Sequence, residues 1–210
     1  MNVEEYVQLL LDGDEQGCLR IASAHTSTLE GLHDVYVNLV APSQYRVGYL
    51  WESGKISVAS EHLATAINSF VVSSAYAPLA IFSPGGPKGV VSCTPDETHE
   101  LGPRMLSDLL ECDGWDIDFF GATMPRRELV GVVESSQPRF VGLSAALVSH
   151  LGSVKTTVDM LHAELGGGCP PIIVGGNAFR TEPGLVEMVG ADLFIPDASL
   201  AVDALKQFKN

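Results

Sequence analysis

The residues with the most evident chemical capacity are Glu97 and His99, in the segment Thr94-Pro95-Asp96-Glu97-Thr98-His99-Glu100-Leu101-Gly102. A histidine offers a neutral ring nitrogen to a metal. A carboxylate two residues earlier can accept the other ring N–H, which fixes the tautomer and raises the basicity of the ligating nitrogen. Taken alone, a loop histidine is usually a solvated or capping residue. Two further segments, Gly142-Leu143-Ser144-Ala145-Ala146 and Val174-Gly175-Gly176-Asn177, combine a hydroxyl with very small side chains. Such residues let a ligand approach the backbone, and paired glycines admit unusual backbone angles and expose N–H groups at a helix start. Singly, each reads as an ordinary strand-to-helix turn. The last candidate lies far upstream: Trp51, then nine residues, then Glu61-His62. Alone, it reads as a core tryptophan beside a capping glutamate and a partly buried histidine.

The elements that must position these residues fall into two halves. Residues 1–80 carry helical stripes. Val3, Tyr6, Val7 and Leu10 form one, Asp14 caps a second, and Leu29, Leu32, Val35, Tyr36 and Leu39 form a third that Pro42 interrupts. A further turn or two runs to Trp51, and Gly54 reads as a stop. Ser57 caps a fourth helix, with Val58, Ala59, His62, Leu63, Ala66, Ile67, Phe70 and Val71 on one side. Four or five short helices suggest a small bundle over residues 1–82. Ser83-Pro84-Gly85-Gly86-Pro87 is the best boundary in the chain. From residue 87 to 210, strands are expected at Gly89–Cys93, Trp115–Phe120, Phe140–Ser144, Pro171–Val174 and Leu193–Pro196. Helices alternate with them, the last two near Pro183–Met188 and over Ser199–Phe208. This is a doubly wound α/β pattern, a Rossmann-like (flavodoxin-like) five-stranded parallel sheet. Ligands bind such sheets at the carboxyl ends of the strands, where Glu97, His99, Ser144, Gly175 and Gly176 fall.

Composition narrows the function classes. Twelve basic and 26 acidic residues give a formal net charge of −14, spread over both halves. Direct nucleic-acid binding is not expected, because phosphate contacts need Lys and Arg. An anionic membrane surface is disfavoured for the same reason. A hydrophobic fraction of 46% excludes a disordered chain. No apolar run approaches the roughly 18 residues of a membrane span. Met1-Asn2-Val3-Glu4-Glu5 lacks the basic start of a secretory signal. The four cysteines form no CxxC pair, so a cytoplasmic setting without disulfides or a zinc site is expected. His25, His33, His150 and His162 show no ligand spacing, although His150 follows the Ser144 loop.

In combination the motifs resemble the cobalamin-binding domain family. The order is Glu97-x-His99-x-x-Gly102, 41 residues, Ser144-x-Ala146, 28 residues, Gly175-Gly176. The family pattern is D-x-H-x-x-G, S-x-L or S-x-T, and G-G at similar spacings. The resemblance implies that His99 is the lower axial cobalt ligand, replacing the cofactor's own base, and that Glu97 orients it. It also implies that Ser144, Gly175 and Gly176 line the slot for the displaced nucleotide tail. Glu at 97 and Ala at 146 depart from the commoner residues. The Trp51-x9-Glu61-His62 signature is similar to that of light-sensing adenosylcobalamin proteins of the CarH/LitR type. There a helical bundle caps the upper corrin face and the Trp packs on the adenosyl group.

That resemblance implies a cobalamin-binding light sensor that is not itself an enzyme. A MerR-like DNA-binding domain has no room before Val3, so the expectation is an AerR-like form that signals to a protein partner, such as a separate transcription factor. A light-dependent homo-oligomer is compatible with this. Glu52 stands where some of these photoreceptors carry a histidine, and His62 is the nearest replacement. The alternative is a corrinoid methyl carrier subunit of a methyltransferase system. A mutase small subunit ranks third.

Overall fold

In the computed structural model, residues 1–80, 85–181 and 184–209 are described, and the chain divides into two units after Ala80. The first unit is helical: α1 (Val3–Asp12), α2 (Glu15–Ser23), α3 (Leu29–Val35), α4 (Ala41–Glu52) and α5 (Val58–Tyr76). Asn2, Asp14, Thr28 and Ser57 each accept a backbone N–H at a helix start. Pro42 does not interrupt the third stripe as expected. The chain continues from α3 through a π-helical segment, Tyr36–Val40, in which the Ala41 N–H donates to Tyr36 O, and runs directly into α4 with Pro42 in its first turn. The stretch to Trp51 is therefore a full helix of 12 residues.

Tyr6, Leu10, Leu32, Val35, Tyr36, Leu39 and Val47 are fully buried in this unit. A polar chain crosses its core: the Tyr6 hydroxyl donates to Asn68 Oδ1 at 3.0 Å, and Asn68 Nδ2 donates to Gln44 Oε1 at 2.9 Å. Those bonds orient α5, whose buried face is Ala64, Ile67, Asn68, Val71, Val72 and Ala75. Of the side marked out by its apolar residues, Ile67 and Val71 are buried, while Val58, Ala59, His62, Leu63, Ala66 and Phe70 are exposed. The helix is apolar around most of its circumference, so hydrophobicity alone does not choose a face, and the buried Asn68 does.

The second unit holds β1 (Lys88–Cys93), α6 (Leu101–Cys112), β2 (Asp116–Phe119), α7 (Arg126–Ser136), β3 (Val141–Ser144), α8 (Leu151–Leu165), β4 (Ile172–Gly175), α9 (Leu185–Val189), β5 (Leu193–Ile195) and α10 (Ala198–Leu205). All strand pairs are parallel, in the order β2-β1-β3-β4-β5. This is the flavodoxin-like Rossmann arrangement expected, with its switch point between β1 and β3. Ser83 and Pro84 of the expected boundary, and Pro183 of the expected helix, lie outside the described residues.

Two apolar layers cover the sheet. Val90, Val141, Leu143, Ile172 and Val174 pack with Leu129, Val133, Val154, Val158 and Val189 of α7, α8 and α9. Val91, Ile117, Phe140, Ile173 and Ile195 pack with Leu110, Ala201 and Leu205 of α6 and α10, joined by Trp115 edge-on to Phe140 at 5.1 Å. Parallel register aligns Cys93, Ser144, Gly175 and Ile195 on one rung. Side chains on a rung share a face, and Ile195 places this one toward α6 and α10. The last rung on that face thus has almost no side-chain bulk at β3 and β4.

Candidate functional site

The loop after β1 is built around Glu97, whose side chain is fully buried. Its Oε1 accepts from the backbone N–H of Thr98 at 2.9 Å, from that of His99 at 3.0 Å, and from His99 Nδ1 at 2.5 Å. Its Oε2 accepts from the Ala146 N–H at 2.7 Å and from His150 Nδ1 at 2.9 Å. Burial alone would raise the Glu97 carboxyl. The hydrogen bonds from His99, His150 and the two backbone amides outweigh it and hold the group well below the usual carboxylate range. Glu97 is therefore ionised, and both imidazoles carry their hydrogen on Nδ1. For His99, whose side chain is 56% exposed, this leaves Nε2 as the ring's acceptor nitrogen.

Further bonds hold this loop. Thr94 N–H donates to Ser144 O, and Cys93 N–H donates to Gly121 O, both at 2.9 Å. The Ser153 hydroxyl of α8 donates to Pro95 O at 2.8 Å and accepts from Arg126 of α7 at 2.7 Å. Glu100 accepts from the Ala122 N–H at 3.0 Å. His99 is thus presented by a loop tied to β3, α7 and α8.

Among the described residues, no group of three or more His, Cys, Asp or Glu side chains is arranged to hold a metal ion. One prepared histidine suits a metal whose other positions are already filled, as in a macrocycle. The backbone near this histidine carries little side-chain bulk. A Cβ built at Gly102, in the first turn of α6, meets nothing within 4 Å. At Gly175 it meets only Ile195 O, at 3.3 Å. Ser144 and Gly175 are paired on the same rung. Gly176 has a different reason to be glycine: its φ is 99°, and a Cβ would strike the Ala145 carbonyl.

In the helical unit, His62 Nδ1 lies 2.5 Å from Glu61 Oε2, and His62 is 75% exposed. Glu61 Oε1 accepts from the Thr65 hydroxyl at 2.8 Å and from Gln44 Nε2 at 3.5 Å. Trp51 lies two turns beyond Gln44 on the same face of α4 and is 47% exposed, so it is not a core residue. Glu61 and His62 are brought together as a pair, and Trp51 shares their α4–α5 surface. His150, Gln44 and Thr65 were not among the residues singled out by spacing. His150 lies 53 residues from Glu97, and no local pattern announces it.

A B12 binding domain signature matches residues 87–206, and a second B12 binding domain signature matches residues 3–74. The chain is 32% identical over 158 residues to the HTH-type transcriptional repressor CarH of Myxococcus xanthus, covering 74% of this chain and 51% of the repressor. It thus spans about half the length of that relative. It is 24% identical over 217 residues to the dimethylamine corrinoid protein of Methanosarcina barkeri, covering 99% of each. In fold it is similar to the monomethylamine corrinoid protein of Methanosarcina barkeri, with a TM-score of 0.82 at 14% identity over 97% of this chain and 96% of that one. No helix among the described residues is long and apolar enough to cross a membrane. With more than half of its length matched, the chain belongs to the B12 binding domain family.

Proposed function

We propose that this protein is a cobalamin-dependent light sensor that binds adenosylcobalamin with His99 on cobalt and passes its state to a protein partner. In this reading Glu97 orients His99, Gly102 gives the corrin room, and Ser144, Gly175 and Gly176 receive the nucleotide tail. Trp51, Glu61 and His62 of the helical unit are the proposed contacts of the adenosyl group. Bound adenosylcobalamin supplies a cobalt–carbon bond that light breaks. The protein supplies placement and an element with two arrangements.

One observation carries the choice of sensor: an exposed tryptophan shares the α4–α5 surface with a carboxylate-backed histidine. Val58, one turn before His62 on α5, is also about half exposed. The 32% identity to a repressor supports the same reading. The net charge of −14 suits contact with a basic protein, such as a transcription factor, rather than with DNA.

A methyl carrier of a methyltransferase system is the second reading, favoured by end-to-end similarity to a dimethylamine corrinoid protein. One experiment separates the two. The protein is reconstituted with adenosylcobalamin in the dark and then illuminated with green light, and its spectrum and elution volume are recorded. A spectral change beyond that of the free cofactor, with altered elution, is the expected result. No such change, together with preferential retention of methylcobalamin, would establish the carrier reading in its place.

A further inference from the structure

Four hydrogen bonds join the interior of the helical unit to its α4–α5 surface, and all of them run the same way. The Tyr6 hydroxyl donates to Asn68 Oδ1, Asn68 Nδ2 to Gln44 Oε1, Gln44 Nε2 to the Thr65 hydroxyl at 2.6 Å, and that hydroxyl to Glu61 Oε1 at 2.8 Å. Thr65 has one hydroxyl hydrogen and gives it to Glu61, so it accepts from Gln44. Gln44 therefore turns its amide NH2 to Thr65 and its amide oxygen to Asn68. Thr65 and Asn68 lie three residues apart on α5, and Gln44 bridges them from α4. A threonine within a helix has a competing partner, the backbone carbonyl four residues before it. Rotation about the last bond of a glutamate side chain is soft, with broad two-fold preferences. Glu61 Oε2 meets His62, which is 75% exposed, so the buried anchor of this carboxylate is on the Oε1 side.

We infer that Gln44 is a positioning residue for Glu61: held by Asn68, it donates to the Thr65 hydroxyl, keeps that hydroxyl on Glu61 Oε1, and so sets the carboxylate for the adenosyl group. A glutamine suits this place because one planar group carries both the acceptor that Asn68 meets and the donor that Thr65 meets. Tyr6 and Asn68 are fully buried, so the line of bonds begins at a fixed point. A carboxylate held in one plane can take hydroxyl or amino hydrogens of a nucleoside on its remaining lone pairs. The inference rests on the reading of Glu61 as a contact of the adenosyl group.

Binding of two cobalamins in the dark is the test. Adenosylcobalamin carries the upper nucleoside, and hydroxocobalamin carries a hydroxide in its place. A fall in the ratio of their affinities therefore reports on this surface, whereas general damage to the protein weakens both. Glu61→Ala should lower the ratio. Gln44→Met keeps the length of the side chain, removes both bonds, and should lower the ratio about 10-fold, as for one hydrogen bond. Thr65→Val removes the hydroxyl at nearly constant shape and should lower it by a similar factor. Because Gln44 acts through Thr65, the double variant should lose no more than either single one, where independent contributions would multiply to about 100-fold. An undiminished ratio in folded Gln44→Met overturns the inference. So does a multiplied loss in the double variant. Should Gln44→Met not fold, Gln44→Glu takes its place in the same cycle, since it keeps the acceptor for Asn68 and removes the donor to Thr65. An unchanged ratio in Glu61→Ala overturns the Glu61 reading first, and the inference falls with it.

Discussion

The Tyr6 hydroxyl donates to Asn68 Oδ1 at 3.0 Å across the helical unit, joining α1 to α5 through two fully buried side chains. This bond selects the buried face of α5 and leaves the opposite apolar face outside. Removing the hydroxyl in Tyr6→Phe leaves a buried acceptor unmet and should cost about 1–2 kcal/mol in urea unfolding near neutral pH. Burial, reinforced by Cys18, pushes the Tyr6 phenol well above its ordinary value of 10.0. The folded state therefore keeps a proton that the unfolded state releases. Stability from this group is fully present below pH 10 and is lost as pH rises beyond it. Tyr6→Phe should accordingly lose less stability than wild type between about pH 10 and pH 11. Parallel curves for the two proteins over that interval would refute this.

Much of the fold was legible in the sequence because the periodicities are strong. The five strands, the alternating helices and the caps at Asp14 and Ser57 follow from local residue types. The Glu97–His99 pair was legible for the same reason, being two residues apart. The orientation of α5 was not, since Asn68 is one polar residue in a mostly apolar helix and its partners lie on α1 and α4. His150 was not legible as a partner of Glu97 either. Their contact depends on parallel pairing of β1 with β3, which brings the loops after those strands together.

The cysteines should be quiet. Burial pushes the Cys93 thiol up to about 12 and those of Cys18 and Cys112 up to about 11, and it raises Cys169 as well. Nearby carboxylates add to the shift at Cys93, Cys112 and Cys169. The thiolate is the reactive form, so little of it exists at neutral pH. Titration with a chromogenic disulfide near pH 8 should be slow on the native protein and should reach all four thiols once it is unfolded. Rapid native labelling of Cys93, located by mass spectrometry, would contradict this.

Gly176 should resist substitution whether or not a ligand is bound. At φ 99° an alanine is strained, and its Cβ would displace the Ala145 carbonyl, which already accepts the Ala178 N–H at 3.2 Å. Gly176→Ala should destabilise the unliganded protein by about 2 kcal/mol. Gly175→Ala should be milder, since its Cβ meets only Ile195 O at 3.3 Å. Thermal melts without cofactor rank the two, and equal losses would remove the distinction.

Gly102 makes the opposite prediction. It is in the first turn of α6, exposed, and a Cβ there meets nothing within 4 Å. Alanine is the better helix former, so Gly102→Ala should stabilise the unliganded protein by about 0.5 kcal/mol. Nothing in the protein itself therefore calls for glycine at this position. If the corrin passes over the start of α6, the added methyl occupies its path, and hydroxocobalamin affinity should fall about 10-fold or more, as for overpacking of about 1.4 kcal/mol or above. Melts with and without hydroxocobalamin read both effects in one experiment: the melting temperature rises without the cofactor, while the increment from adding it shrinks. A variant that gains stability and keeps the full increment would show that the cofactor does not approach this turn.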